Sequence, residues 1–291
     1  MLRINWMTSA AAPVAILAML AVPACTGTSP TPTDCDTGED SDNPVIDWSE
    51  DNTVEGTPQD DEFFTGAGKD IVQGLAGNDT VFGGIGPDEI SGGPGDDRLY
   101  GGIGPDTLLG EDGIDRLFGD QGPDTMNGGT GEDSLVGGDG NDTMRGGQDN
   151  DELYGGRGED TLIGGEGNDE LSGGDDPDIL TGSEGDDSLY GGPGNDELEG
   201  GLGDDTYYGG DGDDTFIMDA TCNSKDTIFD LNINDDEIML PVDVFLRNSF
   251  PEANSNNTGV FLTIDVPTAG CIIGFVPGVT VDQVENVIRE Q

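Results

Sequence analysis

From Gly56 to Ile217 one nine-residue pattern of polar and apolar positions runs through the chain without an insertion. The eighth place of every unit is apolar, from Phe63, Val72, Val81, Ile90 and Leu99 onward to Phe216, and the sixth is aspartate throughout. Places seven to nine alternate about one apolar position, the pattern of a short strand with a single inward face. The first six places are dominated by glycine, which stands first in 17 of the 18 units, fourth in 15 and second in 13. Glycine at those frequencies predicts a turn that reaches positive φ and brings carbonyl oxygens inward with no Cβ in the way. Each unit therefore predicts a six-residue turn and a three-residue strand. So short a unit cannot bury its apolar face alone, and the repeat predicts an all-β solenoid whose stacked coils share one narrow core.

A second period lies inside the first. The ninth residues of odd-numbered units are Phe64, Phe82, Tyr100, Phe118, Val136, Tyr154, Ser172, Tyr190 and Tyr208; seven of the nine are aromatic, and no even-numbered unit has a ring there. An 18-residue period makes two units one coil and puts odd and even strands in different sheets. The rings have two readings. They form a cross-strand ladder that stabilises its own sheet, or, through Phe82, Tyr100, Phe118, Tyr154, Tyr190 and Tyr208, a face for a glycan, another surface protein or a second roll. On the other sheet Thr107, Thr125, Thr143 and Thr161 form a shorter column, but its neighbours Leu109, Asn127, Arg145 and Ile163 are too irregular for an ordered binding plane.

The pattern divides the chain into four parts. Residues 1–24 hold one basic residue, Arg3, and then an apolar run from Ala10 to Ala24, too short to span a bilayer and suited to a secretory signal peptide. Two exits are open: Val22-Pro23-Ala24-Cys25 resembles a bacterial lipoprotein box with Cys25 as the lipidated residue, and Val22 with Ala24 also suits ordinary cleavage. In the first case Cys35 stands alone beside a Cys222–Cys271 disulfide; in the second Cys25–Cys35 and Cys222–Cys271 both close. Either exit leaves the mature chain secreted or at the cell surface. Residues 25–55, rich in Ser, Thr, Pro and Asp and without periodicity, read as a disordered tether. The repeat occupies 56–217, and 218–291 read as a capping segment that covers the open end of the sheets. Strands are expected there over Thr227–Leu231, Glu237–Leu240, Gly259–Val266 and Cys271–Val276, with a short helix over Val281–Ile288.

Charge narrows the functions on offer. Sixty-two acidic residues against nine basic ones give a formal −53, which argues against nucleic acid and anionic membrane surfaces as partners and leaves a lipid on Cys25 as the route to a membrane. Histidine is absent, and with it Ser-His-Asp, Cys-His and His-metal sites. No phosphate-binding loop with its lysine is present, and both flanks are short for a catalytic domain. The expectation is a protein that is not an enzyme. What remains is the sixth-place column: Asp61, Asp70, Asp79, Asp88, Asp97, Asp106, Asp115, Asp124, Asp133, Asp142, Asp151, Asp160, Asp169, Asp178, Asp187, Asp196, Asp205 and Asp214. A carboxylate beside converging carbonyls is the all-oxygen cage of a hard cation, Ca²⁺ in preference to Mg²⁺, which keeps its waters and demands octahedral geometry.

The unit Gly92-Gly93-Pro94-Gly95-Asp96-Asp97-Arg98-Leu99-Tyr100 shows the whole pattern, and it resembles the RTX (haemolysin-type) calcium-binding repeat. The resemblance implies a right-handed parallel β-roll with two units to the coil and Ca²⁺ between turns stacked one coil apart. It implies the eighteen aspartates as carboxylate ligands and glycine carbonyls such as those of Gly84, Gly86, Gly93 and Gly95 as backbone ligands. About sixteen cations would fill the gaps between coils on the two edges. The first unit, with Thr57 and Gln59 in place of turn glycines, is expected to be a cap. Leu75, Glu111, Asp120, Asp149, Asp176 and Ser183 also depart from the pattern, with weaker sites expected near Asp149 and Asp176. Stacked carboxylates repel one another, and one apolar side chain in nine is a thin core against the entropy of ordering a glycine-rich chain. The chain is therefore expected to be unfolded in chelator and folded in calcium. Its function reads as that of an extracytoplasmic calcium-binding protein with a structural or adhesive role. The alternatives are a glycan- or partner-binding module using the aromatic face, or the detached repeat module of a secreted enzyme such as a protease.

Overall fold

A computed structural model describes residues 49–218, 226–232, 235–240, 259–266, 269–277 and 288–290. Their strands form two twelve-stranded sheets, and no helix occurs among the described residues. Through the repeat, successive strands alternate between the sheets, and each pairs in parallel with the strand 18 residues on: Val81 with Leu99, Phe82 with Tyr100, Gly84 with Gly102. The fold is a parallel β-solenoid with two units in each coil, as the aromatic period requires.

The strands are longer than the pattern predicts. Thr80–Ile85 and Arg98–Ile103 each run from the seventh place of one unit through the third place of the next, which leaves only places four to six as the turn. Glycine lowers strand propensity, but here the ladder continues through it, because every coil offers the next an identical backbone to bond. Outside the strands the same logic holds. The fourth-place N–H of Gly86 donates to the third-place carbonyl of Ile103 at 2.7 Å, and the seventh-place N–H of Arg98 to the sixth-place carbonyl of Asp79 at 2.8 Å.

Between the sheets lies a thin core of two facing columns, one eighth-place side chain from each sheet in every coil. The eighth-place residues from Phe63 to Phe216 are at most 1% exposed, and Val54, Met218, Ile228 and Ile238 extend the columns at their ends. Tyr207, a polar-tipped residue in this apolar row, accepts a hydrogen bond from Gly200 N–H at 3.0 Å and meets Phe216 edge-on. The roll begins before the first repeat unit: Thr53–Glu55, placed with the tether by composition, pairs with Ile71–Gln73 and buries Val54, which stands nine residues before Phe63.

At the other end Asp226–Ile228 and Glu237–Leu240 add one strand to each sheet, in parallel, the first of them shorter than the span expected over Thr227–Leu231. Gly259–Val266 and Ala269–Pro277 form an antiparallel pair that ends one sheet, and Ile288–Glu290 ends the other. Ile288 was expected to close a helix; it opens a strand instead, because the edge of Glu237–Leu240 offers it ladder bonds opposite Ile238. Residues 281–287, Cys25, Cys35 and Cys222 lie outside the described residues; Cys271 lies in the strand Ala269–Pro277.

Replacing a central core residue by a smaller one leaves a cavity that the flanking ladders cannot close. Leu117→Ala, at a fully buried position, is expected to destabilise the folded roll by about 2–5 kcal/mol. Denaturant unfolding in calcium checks this, and an unchanged midpoint would contradict the thin core of eighth-place side chains.

Candidate metal-binding edges

The three-residue turns stack into two edges, and the sixth-place aspartate of every coil points inward at one of them. Each from Asp70 to Asp214 is at most 3% exposed, and Asp61 is 7% exposed. Backbone bonds fix their direction. The N–H of each aspartate donates to Oδ1 of the aspartate one coil later, as in Asp79 to Asp97 at 2.7 Å and Asp88 to Asp106 at 2.8 Å. One edge carries this chain of bonds from Asp61 to Asp226, ending with Asp205 N–H on Asp226 Oδ1 at 3.2 Å. The other runs from Asn52 N–H on Asp70 Oδ1, at 2.7 Å, to Asp214 N–H on Asp236 Oδ1, at 3.2 Å.

With Oδ1 held this way, Oδ2 has one place to go. It is buried and accepts no hydrogen bond at each column aspartate from Asp70 to Asp196, and again at Asp214. It lies against the first glycine of its own unit. A Cβ built on Gly83 would stand 2.6 Å from Asp88 Oδ2 and 2.8 Å from the carbonyl oxygen of Gly101, one coil on. Gly110 and Gly119 repeat the arrangement with Asp115 and Gly128, and with Asp124 and Gly137. The glycine therefore keeps open a space into which a carboxylate oxygen and a carbonyl oxygen from two successive coils converge. Thr65, the one exception at the first place, directs its own hydroxyl to Gly83 O at 2.6 Å.

The structure places two of the sequence-derived backbone candidates, Gly84 and Gly93, near the ends of strands and the other two, Gly86 and Gly95, in the turns that follow. Gly84, Gly86, Gly93 and Gly95 all take positive φ, between 106° and 148°. A side chain at Gly102 or Gly104 would fall on the carbonyls of Gly84 or Gly86 beneath it. Leu75, Glu111, Asp120 and Ser183 at the second place, and Asp149 and Asp176 at the fourth, keep the same left-handed backbone, with φ between 70° and 95°. Holding an ordinary residue there costs about 1–2 kcal/mol, so the repeat geometry overrides local preference at all six.

Two features were not assigned from sequence. The carbonyl brought to each Oδ2 belongs to the first-place glycine of the next coil, a pairing that only the 18-residue register reveals. Asp226 and Asp236 extend the aspartate columns past the last unit. Their signal was present as Asp226-Thr227-Ile228 and Asp236-Glu237-Ile238, aspartate two places before an apolar residue, but irregular spacing took them out of phase.

One terminal carboxylate on each edge differs from the rest. Asp61 Oδ2 accepts from Thr57 N–H at 2.6 Å and from Thr57 Oγ1 at 3.0 Å, and Asp236 Oδ2 accepts from Asn232 N–H at 2.6 Å. Both are satisfied by the residue four places earlier, which suits a capping role.

Burial dominates the electrostatics. It pushes the carboxyls of Asp88, Asp97, Asp115, Asp124, Asp160, Asp178 and Asp187 up to about 7, against a lowering by the N–H of the preceding coil, with repulsion from other carboxylates raising them further. Asp106 and Asp133 rise to about 6 by burial, and Asp151, with Asp149 among its neighbours, to about 8. Desolvated anions one coil apart are unstable as they stand. The donor set answers this with one kind of ion. Its donors are carboxylate and carbonyl oxygens, and among the described residues no three His, Cys, Asp or Glu side chains converge on one point. A hard, oxygen-seeking cation completed by backbone carbonyls fits; a zinc-type side-chain cluster does not.

Comparison with known proteins agrees with this chemistry. The family model described as the RTX calcium-binding nonapeptide repeat matches residues 49–81, 73–108, 109–144, 145–180 and 181–216. No curated protein matches the chain. Among solved structures, the crystal structure of extracellular lipase LipA from Serratia marcescens is 16% identical, with a TM-score of 0.24; the match covers 77% of this chain and 40% of the lipase chain. The AlgE6R3 subunit of the Azotobacter vinelandii mannuronan C5-epimerase is 15% identical, with a TM-score of 0.16, over 86% of this chain and 83% of that one. Overlays this loose carry no weight, and the family match stands on its own.

Two outcomes follow from the site. Without metal, the folded chain holds protons up to about pH 7 that the unfolded chain releases near its ordinary value of 3.8. Its stability is then greatest below about pH 4 and declines as pH rises to about 7. In chelator, sheet content is expected to rise on acidification from pH 8 to pH 5; a fall would mean that the carboxyls are not buried as described. Gly83→Ala puts a methyl group between Asp88 and Gly101, and is expected to lower the number of bound calcium ions and raise the calcium needed for folding. Unaltered stoichiometry in calorimetric titration would argue against the cradle.

Proposed function

The chain belongs to the RTX calcium-binding nonapeptide repeat family, and from that premise we propose that it is an extracytoplasmic calcium-binding protein whose roll folds as the cation binds. Its role is structural or adhesive, at the cell surface or beyond it. The observation that carries this reading is the series of buried carboxylate oxygens without a donor, from Asp70 to Asp196 and at Asp214. Burying an uncompensated charge costs several kcal/mol, and the chain does so coil after coil. The carboxylate and carbonyl oxygens of the cradles would coordinate calcium, which would supply the positive charge that these carboxylates lack.

The chain's own residues do the rest. The N–H of the preceding coil holds Oδ1, so Oδ2 is aimed; the first-place glycine leaves the space; the next coil's carbonyl faces it. A site built from two coils does not exist in the unfolded chain, so binding energy becomes folding energy. A chain that folds only where calcium is plentiful suits export, in keeping with the signal-like run Ala10–Ala24. The absence of histidine and the assignment of the repeat carboxylates to cation binding support a role without catalysis.

One observation favours a second reading. Phe64, Phe82, Tyr100 and Phe118 form a continuous stack with ring centroids 4.7–4.8 Å apart, and Tyr190, Tyr208 and Phe229 form another. An outward row of rings suits the flat faces of a glycan, and pull-down on extracellular polysaccharide with Tyr100, Tyr154 and Tyr190 replaced by alanine separates this from the structural role.

The main reading is tested by far-UV circular dichroism during a calcium titration at pH 7.5. A disordered spectrum in chelator that converts cooperatively to a sheet spectrum in millimolar calcium is expected. A sheet spectrum that persists in excess chelator at that pH would refute calcium-driven folding.

A further inference from the structure

The outward face of the sheet that bears the rings carries a charge pattern that reverses about its middle. In the seventh place along this face stand Arg98, Arg116, Ser134, Glu152 and Glu170, each the ladder partner of the next. The two arginines lie on one side of Ser134 and the two glutamates at the same separations on the other, and all four charged residues are exposed. Like charges placed directly opposite on neighbouring strands repel. Among the described residues no ion pair relieves either pair; those present join Arg157 with Asp139 and with Asp175. Two unanswered guanidinium groups are notable on a chain of net charge −53.

The ninth-place column beside them reverses in the same way. About Val136, Phe118 balances Tyr154, Phe82 balances Tyr190 and Phe64 balances Tyr208, while Tyr100 is set against Ser172. Tyr154 and Tyr190 are 36% exposed, and Ile85 and Ile103, at the ends of strands of the same sheet, are about half exposed, at 51% and 50%. An apolar stripe of this kind, flanked by charge, marks an interaction surface.

We propose that this face is a self-complementary dimer interface between two copies of the chain. A two-fold axis lying along the Ser134–Asp139 strand, in the plane between two such faces, keeps strands aligned and reverses the order of coils. Every seventh-place residue then meets its counterpart at equal distance beyond Ser134. Arg98 meets Glu170 of the second copy and Arg116 meets Glu152, each contact occurring twice, which is the property of an isologous interface. The rings of one half lie over those of the other. Nine strands about 4.8 Å apart and six residues at about 3.3 Å give a face of roughly 800–900 Å², close to the area per partner of a stable interface. An acidic glycan would satisfy the arginines and leave the glutamates repelled; a second copy answers both.

The inference rests on the calcium-loaded roll, so circular dichroism in calcium accompanies each measurement to separate loss of fold from loss of association. Sedimentation velocity of the full chain in calcium is expected to show a dimer. Arg98→Glu with Arg116→Glu makes the column wholly acidic, and Glu152→Arg with Glu170→Arg makes it wholly basic. Each double variant is expected to self-associate at least about tenfold more weakly, and an equimolar mixture of the two to dimerise again. A folded wild-type chain that stays monomeric at about 100 μM, weaker than the micromolar affinities of many specific interfaces, overturns the proposal. So does self-association untouched by the reversals, or a monomer that binds polysaccharide through this face. Each of these outcomes would leave calcium-driven folding standing.

Discussion

A buried oxygen that the backbone cannot satisfy is the constraint on which the roll depends. Turn N–H groups donate elsewhere than to the sixth-place Oδ2 in coil after coil. The aspartate N–H holds the next Oδ1, the fourth-place N–H holds a third-place carbonyl, and the seventh-place N–H holds a sixth-place carbonyl. Without a donor on Oδ2, the coil carries half of an ionic site, and stacking supplies the other half as a carbonyl from the neighbouring coil. Packing alone would not compensate, because the core is only two facing files of eighth-place side chains. Glycine is the means rather than the cause: at Gly83 it keeps the space free of a Cβ, and at Gly84 it takes a backbone that most residues resist.

The ends show the same constraint met differently. Thr57 and Asn232 close on Asp61 and Asp236 from four residues away and give Oδ2 the donor that inner carboxylates lack. Each edge has one such satisfied end; at the start of the edge that ends at Asp236, Asp70 Oδ2 is buried without a donor, like the inner carboxylates. Under the proposed function, an acidic, glycine-rich chain of this kind would stay open where divalent cations are scarce and become rigid where they abound, without a large hydrophobic core.

Much of this was legible in the residues. The eighth-place column fixed the core, and the rings at Phe82, Tyr100 and Phe118 fixed the 18-residue coil before any coordinates. Val54 was in phase with Phe63, yet the composition around it spoke for a tether. Strands that run on through Gly83 and Gly84 were not legible, because glycine argues locally against a strand and only the ladder reverses that preference. Asp226 and Asp236 kept the local motif but lost the spacing, at 21 and 22 residues from their partners. The pairing of Asp88 with Gly101, and the reversal of charge about Ser134, exist only once the register is known. Phase is visible in one dimension; convergence is not.

Anomalous scattering from a crystal of the full chain grown in calcium bears most directly on the role of the buried carboxylates. Peaks are expected along both edges, each beside one Oδ2 and one first-place carbonyl, as at Asp88 with Gly101, and none at Asp61 or Asp236, where hydrogen bonds already occupy the oxygen. Edges without peaks, or Oδ2 atoms turned out to water, would contradict the reading of these carboxylates as the ligands that hold the coils together.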